Sequence, residues 1–243
     1  MPTESVLGTF RDPARRPEIA AVGRALERIR IYRNFDTSTE SDAKAGARRG
    51  VSTSYLPANE LAGDGYNLAL ILSRMRLEGS IKKVEEYLGR FSERFGEVHV
   101  DVIGGTARIF IKEQGLRRAT PGVRLSDGTL KLLCLLAVLF HSESEQSLIC
   151  LDEPEAGLHP DAVRLLARAI SEASPRMQLI IVTHSDALVD EFSDTLEAVV
   201  VCESDPEKGT QFKRLSRRKL KAWLEDYSLG ELWKKGAIGG NPW

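Results

Sequence analysis

Residues Leu148-Ile149-Cys150-Leu151-Asp152-Glu153-Pro154-Glu155-Ala156-Gly157-Leu158-His159-Pro160 form an apolar run that stops abruptly at two adjacent carboxylates and a proline. Four apolar, mostly β-favouring residues bounded by Ser147 and Asp152 predict a short strand buried on both faces, as in a parallel sheet between helices. In open α/β sheets ligands sit outside the carboxyl ends of the strands, so Asp152 and Glu153 would emerge where a ligand binds. Neighbouring carboxylates repel and are costly to bury, so they need a cation, a proton or solvent. A magnesium ion carrying a phosphate chain meets that need, with Asp152 on the ion and Glu153 polarising a water. On this stretch alone, two solvated acids at an ordinary strand-to-loop transition meet it equally well.

Downstream, His159-Pro160 leads into a predicted helix over Asp161–Ala173, with Val163, Leu166, Ala167 and Ile170 on one stripe. Leu179–Val182 is a second apolar strand, and it too ends in polar groups, Thr183-His184-Ser185-Asp186. A short helix over Asp186–Phe192, a strand over Leu196–Cys202 and a hairpin partner over Gln211–Leu215 follow. Ser216 then caps a basic helix from Arg217 to about Tyr227, and no regular structure is expected over Ser228–Trp243.

Upstream, Arg124 to Thr129 read Arg-Leu-Ser-Asp-Gly-Thr and enter the almost wholly apolar helix Leu130–Phe140. Ser126 is a natural N-cap, and the free N–H groups behind it make a ready anion site. A well-capped core helix is the more economical reading of these residues taken by themselves. Further back, Val98–Ile103 and Ala107–Lys112 flank Gly104-Gly105-Thr106 as strand, turn and strand. Asn67–Leu77 and Ile81–Phe95 read as amphipathic helices. The expected organisation is a lead-in and helix over 1–35, with a short strand at Ile29–Tyr32, and a flexible loop over 36–59. A helical segment plus hairpin over 60–123, an α/β core over 124–227 and a tail over 228–243 complete it.

Bulk properties narrow the class without choosing the chemistry. The 243 residues carry 34 basic and 35 acidic side chains, which gives no overall drive toward nucleic acid or a membrane surface. The basic group Arg217, Arg218, Lys219 and Lys221 is a modest patch, read first as solvated surface. Cys134, Cys150 and Cys202 are widely spaced in apolar surroundings, as in reduced core thiols of a cytoplasmic protein. No run is long enough to span a bilayer, and the N-terminus lacks the apolar segment of a signal peptide. A cytoplasmic location is therefore expected.

Taken in order, Leu125–Thr129, Leu148–Glu153, Glu155–Pro160 and Ile180–Ser185 resemble the C-terminal half of an ABC-type ATPase head. The likeness is to the RecF/SMC-like ATPases rather than the membrane transporters, and its motifs span Arg124 to Asp190. The resemblance implies a P-loop NTPase-like α/β fold, a mostly parallel sheet flanked by helices, with a helical subdomain. It makes Ser126, Asp127, Gly128 and Thr129 the signature motif that reaches the γ-phosphate of a partner's nucleotide across a head-to-head homodimer. Asp152 becomes the Walker B magnesium ligand and Glu153 the catalytic base. Glu155, Ala156, Gly157 and Leu158 become the D-loop at the dimer seam, and His184 the switch histidine that senses the γ-phosphate. ATP and Mg2+ are the implied cofactors, DNA is a partner by analogy, and DNA repair or defence is the implied setting.

The pattern is broken in one respect. Such an ATPase needs a Walker A loop ending in Gly-Lys-Ser/Thr, and no Gly-Lys-Ser or Gly-Lys-Thr occurs in the sequence. The expectation is a head lacking its N-terminal lobe, inactive alone and able to hydrolyse ATP once that lobe and a second head complete it. The signature also departs, with Asp127 in place of the usual glycine and Thr129 in place of Gln or Glu. The competing readings are a non-hydrolytic binding or regulatory module of the same fold and, ranked last, a metal-dependent nuclease or phosphatase.

Overall fold

The structure, a computed structural model, describes residues 14–35, 37, 60–103, 106–141 and 148–240. The loop expected over 36–59, save Thr37, and the Gly104-Gly105 turn lie outside the described residues. Helix α1 (Pro17–Glu27), with Pro17 in its first turn, runs into strand β1 (Ile29–Tyr32). Helices α2 (Leu68–Glu78) and α3 (Ile81–Phe91) are joined at Gly79, whose φ of 83° closes α2 in the left-handed conformation that glycine adopts without penalty. Helix α3 is shorter than the periodicity predicts, because Ser92 turns extended and Phe95 already begins the next strand.

Strands β2 (Phe95–Ile103), β3 (Thr106–Glu113) and the short β4 (Thr120–Pro121) form an antiparallel sheet in that order. Helix α4 (Asp127–Phe140) follows, then β5 (Leu148–Asp152), α5 (Pro160–Ala173), β6 (Gln178–Val182) and the short α6 (Asp186–Asp190). Every residue of α4 from Thr129 to Phe140 is buried, as befits a helix apolar all round. It packs against α2, α3 and α5, and its leucines join Tyr32, Ile149 and Leu151 in one core.

A three-stranded parallel sheet has the order β1-β5-β6, so the carboxylate strand is central. The short strand of the lead-in is thus part of the sheet that carries the acids. Contrary to expectation, β5 is not buried on both faces. Ile149 and Leu151 point into the core with Leu179 and Ile181 beside them. On the other face, the row Ile31, Cys150 and Ile180 leaves Ile31 58% and Ile180 50% exposed, and Val182 beside Asp152 is 49% exposed. The sequence run could not distinguish one covered face from two, since Cys150 and Leu148 are apolar on either account.

The C-terminal part differs more from the pattern reading. Leu196–Ala198 is a 3-10 turn, and the strand β7 (Val200–Asp205) pairs only with β8 (Gly209–Arg214), in a separate antiparallel hairpin. The basic helix α7 (Arg217–Leu220) is four residues long and gives way to turns. Over Ser228–Trp243, where no regular structure was expected, Leu229–Lys234 forms helix α8. Its capping box, Ser228 and Glu231 each bonding the other's backbone N–H, is a local signal that is present in the sequence.

Candidate functional site

Asp152 is the last residue of β5 and is half-buried at the carboxyl edge of the parallel sheet. Glu153 donates its N–H to the Val182 carbonyl at 2.8 Å, so pairing with β6 continues one residue past the strand. The backbone then turns at Glu153 with a φ of 47°, the only positive φ outside glycine among the described residues. A left-handed L-residue costs about 1 kcal/mol or more, and such strain is typically kept where it aims a functional side chain. Glu153 is exposed just past the half-buried Asp152, and Pro154 after it is buried. Arg33, just beyond β1, lies 3.6 Å from Asp152 through Nε, an exposed pair that water screens.

No cluster of three or more His, Cys, Asp or Glu occurs among the described residues, and Mg2+ characteristically takes one or two carboxylates and leaves its other positions to water and phosphate. Two acids at an open sheet edge meet that requirement.

Ser126 caps α4 by accepting from the Thr129 N–H at 3.1 Å, and its Oγ is 2.8 Å from the Thr129 hydroxyl. Thr129 is therefore buried and engaged in the cap, whereas Ser126 and Asp127 face solvent. Gly128 lies against the stretch after the acids: a Cβ built on it would stand 3.0 Å from the Gly157 carbonyl. The start of α4 and Glu155–Leu158 are thus in contact, and a side chain at 128 would crowd them apart.

Two contributors were not singled out by sequence pattern. Lys131 is buried in α4 and donates to the Ala156 carbonyl at 2.6 Å, pinning the loop to the helix. Its burial pushes the ammonium pKa down, opposed by the nearby Glu155 and Glu153 carboxylates. The available signal was a lone charge in the apolar run Leu130–Phe140. Thr183 donates its hydroxyl to Glu155 Oε1 and accepts the Ser185 N–H at 3.0 Å. The second oxygen of Glu155, Oε2, is buried without a hydrogen-bond partner, an arrangement that costs free energy unless another state satisfies it.

His184 is exposed at the end of β6, one strand from the acids. The fold thus gathers Asp152, Glu153, Thr183 and His184 at one sheet edge, and links Glu155–Leu158 to both the β6 end and the α4 N-terminus.

Comparisons with solved structures find likenesses at low identity. A structure described under ATP-driven dimerization and DNA-stimulated activation of SMC ATPases is 21% identical, covering 64% of this chain and 96% of that one, at a TM-score of 0.45. The Smc head domain of Pyrococcus furiosus, with an extended coiled coil and bound to the C-terminal domain of ScpA, is 20% identical over 65% of this chain and 40% of that one, at 0.46. The SMC head domain of Thermotoga maritima is 19% identical over 60% and 52%, at 0.39. No curated protein matches. A family profile, by contrast, matches residues 25–190, from the end of α1 through α6 and across every part of the site just described. With well over half of its length in that match, this chain belongs to the family described as "AAA domain, putative AbiEii toxin, Type IV TA system".

Proposed function

We propose that this chain is the C-terminal lobe of an ABC-type ATPase that binds and hydrolyses ATP with Mg2+ when completed by a lobe carrying a Walker A loop and paired head to head with a second copy. The observation that carries this reading is the strained turn at Glu153, the second of two consecutive acids at the carboxyl edge of the central parallel strand. Family membership and the order of the four motifs support it.

In this reading Asp152 holds the magnesium ion, directly or through water. Mg2+, when bound with the nucleotide, neutralises phosphate charge. Glu153, exposed just past the strand, orients a water and accepts its proton. His184 donates a hydrogen bond toward the γ-phosphate, and the α4 N-terminus presents Ser126 and the backbone of Asp127–Thr129 to the nucleotide of the paired head. Asp127 adds a negative charge there, so its backbone, rather than its carboxylate, faces phosphate. Glu155–Leu158 lie at the seam between heads.

The half-exposed apolar face of the parallel sheet supports completion by another lobe. Parallel sheets are as a rule covered on both faces, and Ile31, Ile180 and Val182 lead along this one to Asp152. A cytoplasmic setting in DNA repair or defence is carried by resemblance. A DNA contact by the basic patch rests on the same resemblance; within the chain, Arg217 donates to the Asp194 carbonyl at 2.9 Å.

The test adds a phosphate-loop lobe, in cis or in trans, and measures ATP turnover with and without magnesium. The expected result is magnesium-dependent hydrolysis that Glu153→Gln lowers by about 10²-fold or more. Equal turnover in that variant overturns the assignment of Glu153. ATP binding without turnover in the completed wild-type assembly supports instead a non-hydrolytic module of the same fold.

A further inference from the structure

The C-terminal helix α8 is seated on α6, the turn of helix that begins two residues after His184. Polar groups join the two at more than one place. At one end the Gly230 N–H donates to Asp190 Oδ1 at 2.5 Å and the Leu229 N–H donates to Ser193 Oγ at 3.3 Å. These acceptors meet N–H groups in the first turn of α8, which have no partner within their own helix. At the other end Lys234 forms an ion pair with Asp186. Asp186 and Asp190 are four residues apart, as are Gly230 and Lys234, so each pair lies on one face of its helix.

The approach is close enough to need glycine. A Cβ at position 230 would stand 2.7 Å from the Asp186 carbonyl oxygen and 2.8 Å from Asp190 Oδ1, neither of which real side chains tolerate. The other side of α8 is anchored independently. Leu229, Leu232 and Ile238 are buried with Leu196, Val201 and Leu215, the Gly240 N–H donates to Glu203 Oε1 at 2.9 Å, and the Trp233 indole N–H donates to the Gly240 carbonyl. Residues 228–240 therefore tie α6 to the β7–β8 hairpin.

We infer that α8 is a clamp that sets the position of His184 by holding the first turn of α6, with Lys234 and Gly230 as positioning residues. The only chain between the Lys234–Asp186 pair and the imidazole is Ser185, whose Oγ accepts the Leu188 N–H at 3.2 Å, so a shift of α6 is passed directly to His184. The role assigned to this position rests on the reading of His184 as the switch residue.

The experiment compares the full chain with Lys234→Ala, Lys234→Arg and Gly230→Ala, using the His184 imidazole NMR signal and amide exchange over Ala187–Asp190. His99, on β2 of the separate antiparallel sheet, serves as the internal control. Lys234→Ala is expected to move the His184 signal and speed α6 exchange about two- to fivefold, the scale of a solvent-screened ion pair, with His99 unmoved and Lys234→Arg restoring both. Gly230→Ala is expected to exceed Lys234→Ala; should it fail to fold, the lysine pair of variants decides. Unchanged exchange in Lys234→Ala overturns the clamp. Faster exchange with an unmoved His184 signal leaves only a structural tether and overturns the positioning role. In the ATPase assembly, Lys234→Ala is expected to lower kcat several-fold with KM for ATP little changed. Absence of turnover in the wild-type assembly would count against the nucleotide reading, while the NMR and exchange results still judge the clamp.

Discussion

Glu153 occupies a backbone conformation that its side chain makes unfavourable, in a position where glycine would be at ease. Glu153→Gly is therefore expected to raise the stability of the isolated chain by up to about 1 kcal/mol, the relieved strain exceeding glycine's greater unfolded entropy. Thermal unfolding should show a midpoint higher by about 2–4 °C. A lower midpoint would mean that contacts of the Glu153 side chain, and not a functional demand, hold the turn. The acids themselves were legible from sequence, since an apolar run ending in two carboxylates is a local signal. Lys131 and Thr183 were not, because their partners Ala156 and Glu155 lie 25 and 28 positions away. No spacing rule relates such residues.

At the scale of the element, the start of α4 is the best-specified piece of the site. Ser126→Ala removes the cap on the Thr129 N–H and should cost about 1 kcal/mol, measured as a lower midpoint in urea with an unchanged slope. A larger loss would mean that the Ser126–Thr129 hydroxyl pair also anchors the loop after the acids. Helix α3 offers a pH test. Tyr87 is buried and donates to Glu172 Oε2 at 2.9 Å, and burial followed by that carboxylate pushes its phenol up to about 12. A pKa raised on folding stabilises fully below the unfolded value of about 10 and is lost as pH rises toward the folded one. The chain should thus lose stability from about pH 10 toward about 12, and Tyr87→Phe should flatten that part of the profile. An unchanged alkaline profile in the variant would assign the loss to other groups. Local patterns located α3, α4 and α5 well. They misjudged the ends of α3 and α7, where Ser92 turns extended and where turns replace the helix after Leu220.

At the scale of the whole molecule, the decisive feature is the uneven burial of the parallel sheet. One face merges with the core around α4, and the other presents Ile31, Ile180 and Val182 to solvent. Ile180→Asp, at a half-exposed strand position, should cost the isolated chain about 1 kcal/mol and leave it folded. The same variant should weaken association with a phosphate-loop lobe by tenfold or more in a titration of the two parts. A variant that unfolds the isolated chain would place Ile180 in its own core, and undiminished association would move the docking surface elsewhere.

The amino-acid sequence by itself determined the apolar strand that ends in Asp152 and Glu153, the Ser126 cap with its buried helix, and the second strand that ends at His184. Each depends on residues within a turn or two of one another, where periodicity, capping and strand termination act. The tertiary structure alone decided that β1 lies beside β5, that one sheet face stays open, that Lys131 and Thr183 grip the loop after the acids, and that α8 holds α6. Those arrangements join segments far apart in the chain. They follow from which surfaces the core brings into contact, and such pairings leave no periodic trace in the sequence.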